Sequence, residues 1–251
     1  MYVNDGDSIY LYGNIVNSIN DDAPGQGIVC VNVINLAEID SNKISNYRNR
    51  GLYAKVLGED GKFRNNTIEN IRSLGILLEG SNGVLTNNTV DGVIAGSGIN
   101  ITASSATVTE NKFLNIQAGT GIIVNGPDNL VANNFVEAEG VGIAKGISLR
   151  ANGSGSKVVF NSVNITGTDV ANGIGLEVLG GTGYTVKNNI FANNGGGYAV
   201  KVEANVSSND WDYNDFFSTG DEFGSYMGTL YSDLQSWGST IVSLQNIILE
   251  W

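Results

Sequence analysis

Nine times along the chain an apolar residue stands three positions before an asparagine and another stands two positions after it. The asparagines are Asn14, Asn42, Asn66, Asn88, Asn111, Asn134, Asn161, Asn189 and Asn214. The preceding apolar residues run Leu11, Ile39, Phe63, Leu85, Val108, Val131, Val158, Val186 and Trp211. The following ones run Val16, Ile44, Ile68, Val90, Phe113, Val136, Val163, Phe191 and Phe216. Successive asparagines lie 28, 24, 22, 23, 23, 27, 28 and 25 residues apart. A second pattern, Gly-apolar-x-apolar, interleaves with the first. It starts at Gly27, Gly51, Gly75, Gly98, Gly121, Gly146 and Gly173, and once more at Ala199, where alanine takes the lead position. Alternation with period two predicts short strands, and no part of the repeat carries the 3.6-residue period of a helix.

Self-similarity at 22–28 residues marks a repeat architecture. Leucine-rich repeats share this period but need several leucines in each repeat, whereas Ile and Val often replace Leu here. Propeller blades need ~40 residues or more and are excluded. Stacked coils of a parallel β-helix satisfy the pattern, with β-branched residues filling the interior and strands pairing between coils. The asparagines then have a physical role. Each side-chain amide offers a donor and an acceptor to a buried turn, and stacked amides bond to one another along the stack. Asn also tolerates the left-handed conformation that sharp turns require. The predicted fold is all-β: a single-stranded parallel β-helix of about nine coils over residues 1–217, with an asparagine ladder. A C-terminal cap over 218–251 would cover the strand edges at that end, and Ser232-Asp233-Leu234-Gln235 reads as a capping box opening one short helix.

Composition narrows the chemistry. The absence of histidine removes His-dependent triads and imidazole bases. The single cysteine, Cys30, rules out an intrachain disulfide and, at an inward strand position, reads as a small core hydrophobe. A net charge of −12 speaks against nucleic-acid binding through a basic footprint. No apolar stretch approaches the ~20 residues of a membrane span. Met1-Tyr2-Val3-Asn4 lacks a leader pattern and repeat sequence begins almost at once, so a segment upstream of Met1 is expected in the native protein. Sequons at Asn65, Asn87, Asn100, Asn152, Asn164 and Asn205 are what chance supplies in a chain rich in Asn, Ser and Thr.

The run Asn188-Asn189-Ile190-Phe191-Ala192-Asn193-Asn194 resembles the right-handed parallel β-helix superfamily, which includes pectate lyases, polygalacturonases, alginate epimerases and phage tailspikes. So does the ending, Asp212-Tyr213-Asn214-Asp215 followed by Tyr231-Ser232-Asp233-Leu234-Gln235-Ser236-Trp237. The resemblance covers roughly residues 8–217. It implies right-handed coils, an extracellular or cell-surface location, and a polysaccharide partner lying along the face of the Gly-apolar-x-apolar strands.

On that face the residues between and after each apolar pair point outward and stack ~4.8 Å apart. One column reads Val29, Tyr53, Leu77, Asn100, Ile123, Ser148, Gly175, Lys201. The other reads Val31, Lys55, Glu79, Thr102, Asn125, Arg150, Glu177, Glu203. The candidate catalytic residues are Arg150, Glu177, Lys201 and Glu203, with Tyr53, Lys55, Glu79, Asn125 and Lys145 contacting substrate. In a lyase of acidic glycans, Lys201 or Arg150 would take the ring proton, and Glu177 with Glu203 would hold calcium. In a hydrolase, Glu177 and Glu203 would be the paired carboxylates, ~5 or ~6.5–9.5 Å apart. Connectors of 12 residues, from Asn134 to Gly146 and from Asn161 to Gly173, would wall the cleft and carry Glu137, Glu139, Lys145 and Asp169. The Asn-Thr-Asp, Gly-His-Gly and Arg-Ile-Lys elements of polygalacturonases and the Asp-Pro-His of alginate epimerases are absent. The stretch from Asp210 to Asp221 imitates a calcium loop but has Asp215 where such a loop needs glycine. Two readings stand: a glycan-recognising β-helix acting as lyase or hydrolase, and a non-catalytic structural or adhesive module such as a stalk, sheath or tailspike-like segment.

Overall fold

A computed structural model describes residues 1–4, 6, 8–19, 25–33, 35–56, 60–203 and 206–240. The sequon at Asn205 and the part of the expected cap beyond Thr240 lie outside the described residues. The chain forms the expected all-β parallel solenoid, each coil contributing to three strand stacks. The first stack holds the glycine-led strands, from Tyr2–Asn4 and Gln26–Val33 up to Tyr198–Val202. The second runs from Ser8–Tyr12 to Asp210–Asp212 as a nine-stranded sheet in chain order. The third runs from Ile15–Asn17 to Asp215–Ser218. In Lys112–Val124 and Phe135–Leu149 the third and first strands of a coil join without a break, so the supposed long connector from Asn134 is largely paired strand.

Register follows the sequence pattern. The apolar residues before the asparagines pair in one column from Leu11 through Phe63 and Val131 to Trp211. Those after them pair from Val16 through Phe113 to Phe216. Both columns enter one continuous core in which most members are wholly buried. Cys30 belongs to this core, and burial pushes its thiol up to about 11.

The asparagine ladder is continuous from Asn14 to Asn214. Each Nδ2 donates to the Oδ1 of the asparagine one coil on at 2.8–3.0 Å. The backbone N–H of the same residue donates to that Oδ1 at 2.9–3.1 Å. From Asn42 onward Nδ2 also reaches back to the carbonyl of the preceding coil's apolar residue, as from Asn111 to Leu85 at 3.0 Å. The left-handed conformation falls one residue earlier than expected. Gly13, Ser41, Asn65, Asn87, Glu110, Asn133, Phe160, Asn188 and Tyr213 have φ between 54° and 63°, while no ladder asparagine has positive φ. Phe160 is a costly occupant, because a side chain other than Gly or Asn is disfavoured there by ~1–2 kcal/mol. Its ring is 57% exposed and contributes little packing. Phe160→Asn is therefore expected to raise the melting temperature by about 2–4 °C, a gain of ~1 kcal/mol. An unchanged or lower melting temperature would argue that the ring contributes more than the backbone loses.

The glycine column has a steric origin. A Cβ on Gly121 would lie 2.1 Å from Val136 Cγ1 and 2.9 Å from the Gly146 carbonyl oxygen. Gly27, Gly51 and Gly146 meet Ile44, Ile68 and Val163 in the same way. The two sequence patterns are thus one structural fact: the apolar residue after a ladder asparagine occupies the space that a side chain at the glycine of the preceding glycine-led strand would need.

At the C-terminal end Gly224–Tyr226 and Thr229–Tyr231 form the only antiparallel pair among the described strands. The short helix Leu234–Thr240 follows. Asp233, not Ser232, is its cap, accepting from the Ser236 N–H at 2.7 Å. Trp237 is buried edge-on against Tyr231 and Phe223, with ring centroids 5.3 and 6.3 Å away, and closes the last coil.

Candidate functional site

On the outward face of the glycine-led strands several side chains are buried by their neighbours. Its middle column contains Val29 at 4%, Leu77 at 6% and Glu177 at 3% exposure, although all three point away from the core. Outward residues of the third stack, such as Phe135 and Ile190, are exposed. We call this middle column the floor, and the columns flanking it the rims, of a trough along the stack.

The floor reads Val29, Tyr53, Leu77, Asn100, Ile123, Ser148, Glu177, Lys201, Ser225. This corrects the sequence reading. Ile147 pairs with Leu176, and Leu176 with Val200, so the strand aligns from Gly175 rather than Gly173. Glu177 accordingly moves from the second outward column into the floor, between Ser148 and Lys201. Leu179 takes the vacated place between Arg150 and Glu203. Arg150, Glu177 and Glu203 do not form a consecutive column.

One rim was missed: Gln26, Arg50, Leu74, Ser97, Thr120, Lys145, Ile174 and Tyr198, the residues just before each glycine or its equivalent. The same alternation that gave the other columns extends to it. From this rim Lys145 reaches down to Glu177, Nζ to Oε1 at 2.5 Å. The Ser148 hydroxyl donates to the other carboxylate oxygen at 2.7 Å. Glu177 is therefore a buried, fully partnered carboxylate, not the solvent-facing acid expected. Glu203 pairs with Lys201 at 2.6 Å, and Lys201 Nζ also sits 5.8 Å from the Tyr198 ring centroid. The expected calcium pair does not form, since Glu177 and Glu203 occupy different columns and each is held by its own lysine. Asp210 of the supposed calcium loop is bound to Lys187 at 2.7 Å. Among the described residues no three acidic or thiol side chains converge on a metal position.

Toward the N-terminal end the Tyr53 hydroxyl donates to Glu79 Oε2 at 2.7 Å, and the Arg50 guanidinium lies 5.0 Å above the Tyr53 ring. Burial, then the Glu79 bond, pushes the Tyr53 phenol up to about 12. Asn100 Oδ1, on the floor, is buried without a hydrogen-bond partner. Lys55, Asn125 and Arg150 line the second rim, and neither cation has an ion pair among the described residues. The Tyr184 hydroxyl donates to the Arg150 carbonyl and fixes the turn that carries it. Of the expected walls, Glu139 accepts from Gln117 at 3.2 Å, and Asp169 closes its own turn by accepting from the N–H groups of Ala171 and Asn172. Asn129, a buried asparagine outside the ladder, also escaped the sequence reading. Asn129 accepts from the Ala106 N–H and donates to the carbonyls of Ala103 and Gly126, but without the repeat spacing nothing in the sequence marks it.

No helix among the described residues is long and apolar enough to cross a membrane. Comparison with curated proteins and with solved structures gives no match. A family model described as the right-handed β-helix region matches residues 1–136, more than half of the 251. With the parallel coils and the stacked asparagines already in place, that match makes the chain a member of the right-handed β-helix family.

Proposed function

We propose that the protein is an extracellular glycan-binding β-helix that holds an extended acidic polysaccharide in its trough without cleaving it. The observation that carries this reading is the glycine-strand face, where five of the nine outward floor residues are buried between columns that carry Arg50, Lys55, Arg150 and Tyr198. A long, shallow channel on a rigid scaffold suits a linear polymer better than a compact ligand. Lys55 and Arg150, four coils or ~19 Å apart on one rim, have no ion pair among the described residues and are available to carboxylates of the polymer. Binding rather than catalysis is favoured because both acids proposed for chemistry are held by lysines, Glu177 by Lys145 and Glu203 by Lys201. A hydrolase would need two addressable carboxylates, and of the two bases considered for a lyase Lys201 is held by Glu203.

Calorimetric titration with polygalacturonate and alginate tests the reading. Arg150→Ala should weaken binding tenfold or more, and added salt should weaken it further. Lys157→Ala, on the second sheet, should leave binding unchanged. If neither polymer binds, or if Arg150→Ala binds like the parent, the structural or adhesive reading takes over.

A further inference from the structure

Beside the trough, a row of turns joins the third stack to the first. In the seventh coil this turn includes residues 169–172, in the eighth 195–197 and in the ninth 219–222. The middle turn is Gly195-Gly196-Gly197 and has no side chains. Close stacking imposes this at two of the three positions. A Cβ on Gly195 would lie 1.9 Å from the Gly167 carbonyl oxygen, and one on Gly197 2.2 Å from that of Gly173. The turns on either side do carry side chains, so the row is notched at the eighth coil. The notch is a cleft of about 410 Å³ with Val170 and Ala171 on one wall and Thr219, Asp221 and Glu222 on the other. Tyr198, the last residue of the newly recognised trough rim, stands at its inner end.

We infer that this notch is a second binding site, for a sugar ring without negative charge. Its volume lies in the range of small-ligand pockets, and it combines an apolar wall and a phenol with a few polar groups. A ring can set its C–H face against Val170 and Tyr198 while its hydroxyls donate to the carboxylates of Asp221 and Glu222. Those two carboxylates make no hydrogen bond or ion pair with any described side chain, and no Lys or Arg lines the cleft. A uronate, sulfate or phosphate would meet two carboxylates there, and the cation beside the Tyr198 ring, Lys201, is already engaged by Glu203. The notch is thus opposite in selectivity to the trough, where Lys55 and Arg150 have no ion pair among the described residues, and it stands independently of the trough reading.

Backbone-amide NMR separates the two sites. The probes are cellobiose, maltose and di-N-acetylchitobiose as neutral sugars and digalacturonate as the acidic one. At least one neutral sugar should shift the amides of Gly196, Tyr198 and Glu222, and Arg150→Ala should leave those shifts intact. Asp221→Ala/Glu222→Ala should weaken that binding tenfold or more. Gly196→Asn should abolish it by filling the notch. Gly196 has φ +88°, in the positive range that Asn enters more readily than other residues, and its Cβ would meet only Val170 Cγ1 at 3.4 Å. If no neutral sugar shifts these amides, if the shifts survive Gly196→Asn, or if digalacturonate binds there equally well, the notch is not such a site. Digalacturonate shifting trough residues while no neutral sugar shifts the notch amides would leave the trough reading intact and remove this one.

Discussion

Replacing Asn111 by leucine is expected to lower the melting temperature by about 10 °C. Asn111 lies mid-ladder, is 1% exposed and is isosteric enough with leucine that packing volume barely changes. Its amide accepts from the Asn88 backbone N–H at 2.9 Å and Nδ2 at 3.0 Å. It donates to the carbonyls of Leu85 and Thr109 and to Asn134 Oδ1 at 2.9–3.0 Å. Leucine leaves the Asn88 N–H and the Leu85 carbonyl facing an apolar side chain in a site that water does not reach. Each stranded group costs ~1–3 kcal/mol, so a loss of about 3–5 kcal/mol follows. In a chain of this size each kcal/mol moves the transition by ~2–4 °C. Asn152→Ala, at an exposed asparagine whose side-chain bond is long at 3.5 Å, should move it by less than a degree or two. Thermal melts of the two variants decide the matter: equal and small shifts would mean that the ladder does not hold the coils.

Glu177→Ala should destabilise the protein by about 3–5 kcal/mol, the usual consequence of removing one partner of a buried ion pair. The Lys145 side chain is only 17% exposed and would lose its single counter-charge, and the buried Ser148 hydroxyl would lose its acceptor. Replacing the pair together, as Lys145→Met/Glu177→Leu, should restore most of the loss, because an apolar pair of similar volume does not need to be desolvated. Denaturant midpoints of the single and double variants measure the difference. A single variant as stable as the parent would show that Glu177 is not held as described. The same expectation governs any binding experiment: loss of glycan affinity in Glu177→Ala would report disturbed coils, whereas Arg150 stands on the rim and reports on the trough itself.

The sequence by itself determined the architecture. The spacing of apolar residues three before and two after each asparagine is set by one tight turn per coil, and nine copies of that turn leave little freedom for any other fold. The glycine column was equally legible, since its steric cause lies in the apolar residue after each asparagine and both patterns repeat together. The register of one strand was not legible. Gly173-Ile174-Gly175-Leu176 and Gly175-Leu176-Glu177-Val178 both fit the pattern, and a shift of two residues preserves which side chains point inward. Only pairing with the strands on either side, Ile147 below and Val200 above, selects the second frame. That choice moves Glu177 from a rim to the floor and turns an expected catalytic acid into a structural one. The burial of outward residues on this face, the Lys145–Glu177 pair and the notch at the eighth coil were likewise decided by tertiary structure. They depend on how side chains from neighbouring coils lean together across ~4.8 Å, between residues more than twenty positions apart in the chain, and periodicity along the sequence carries no information about that.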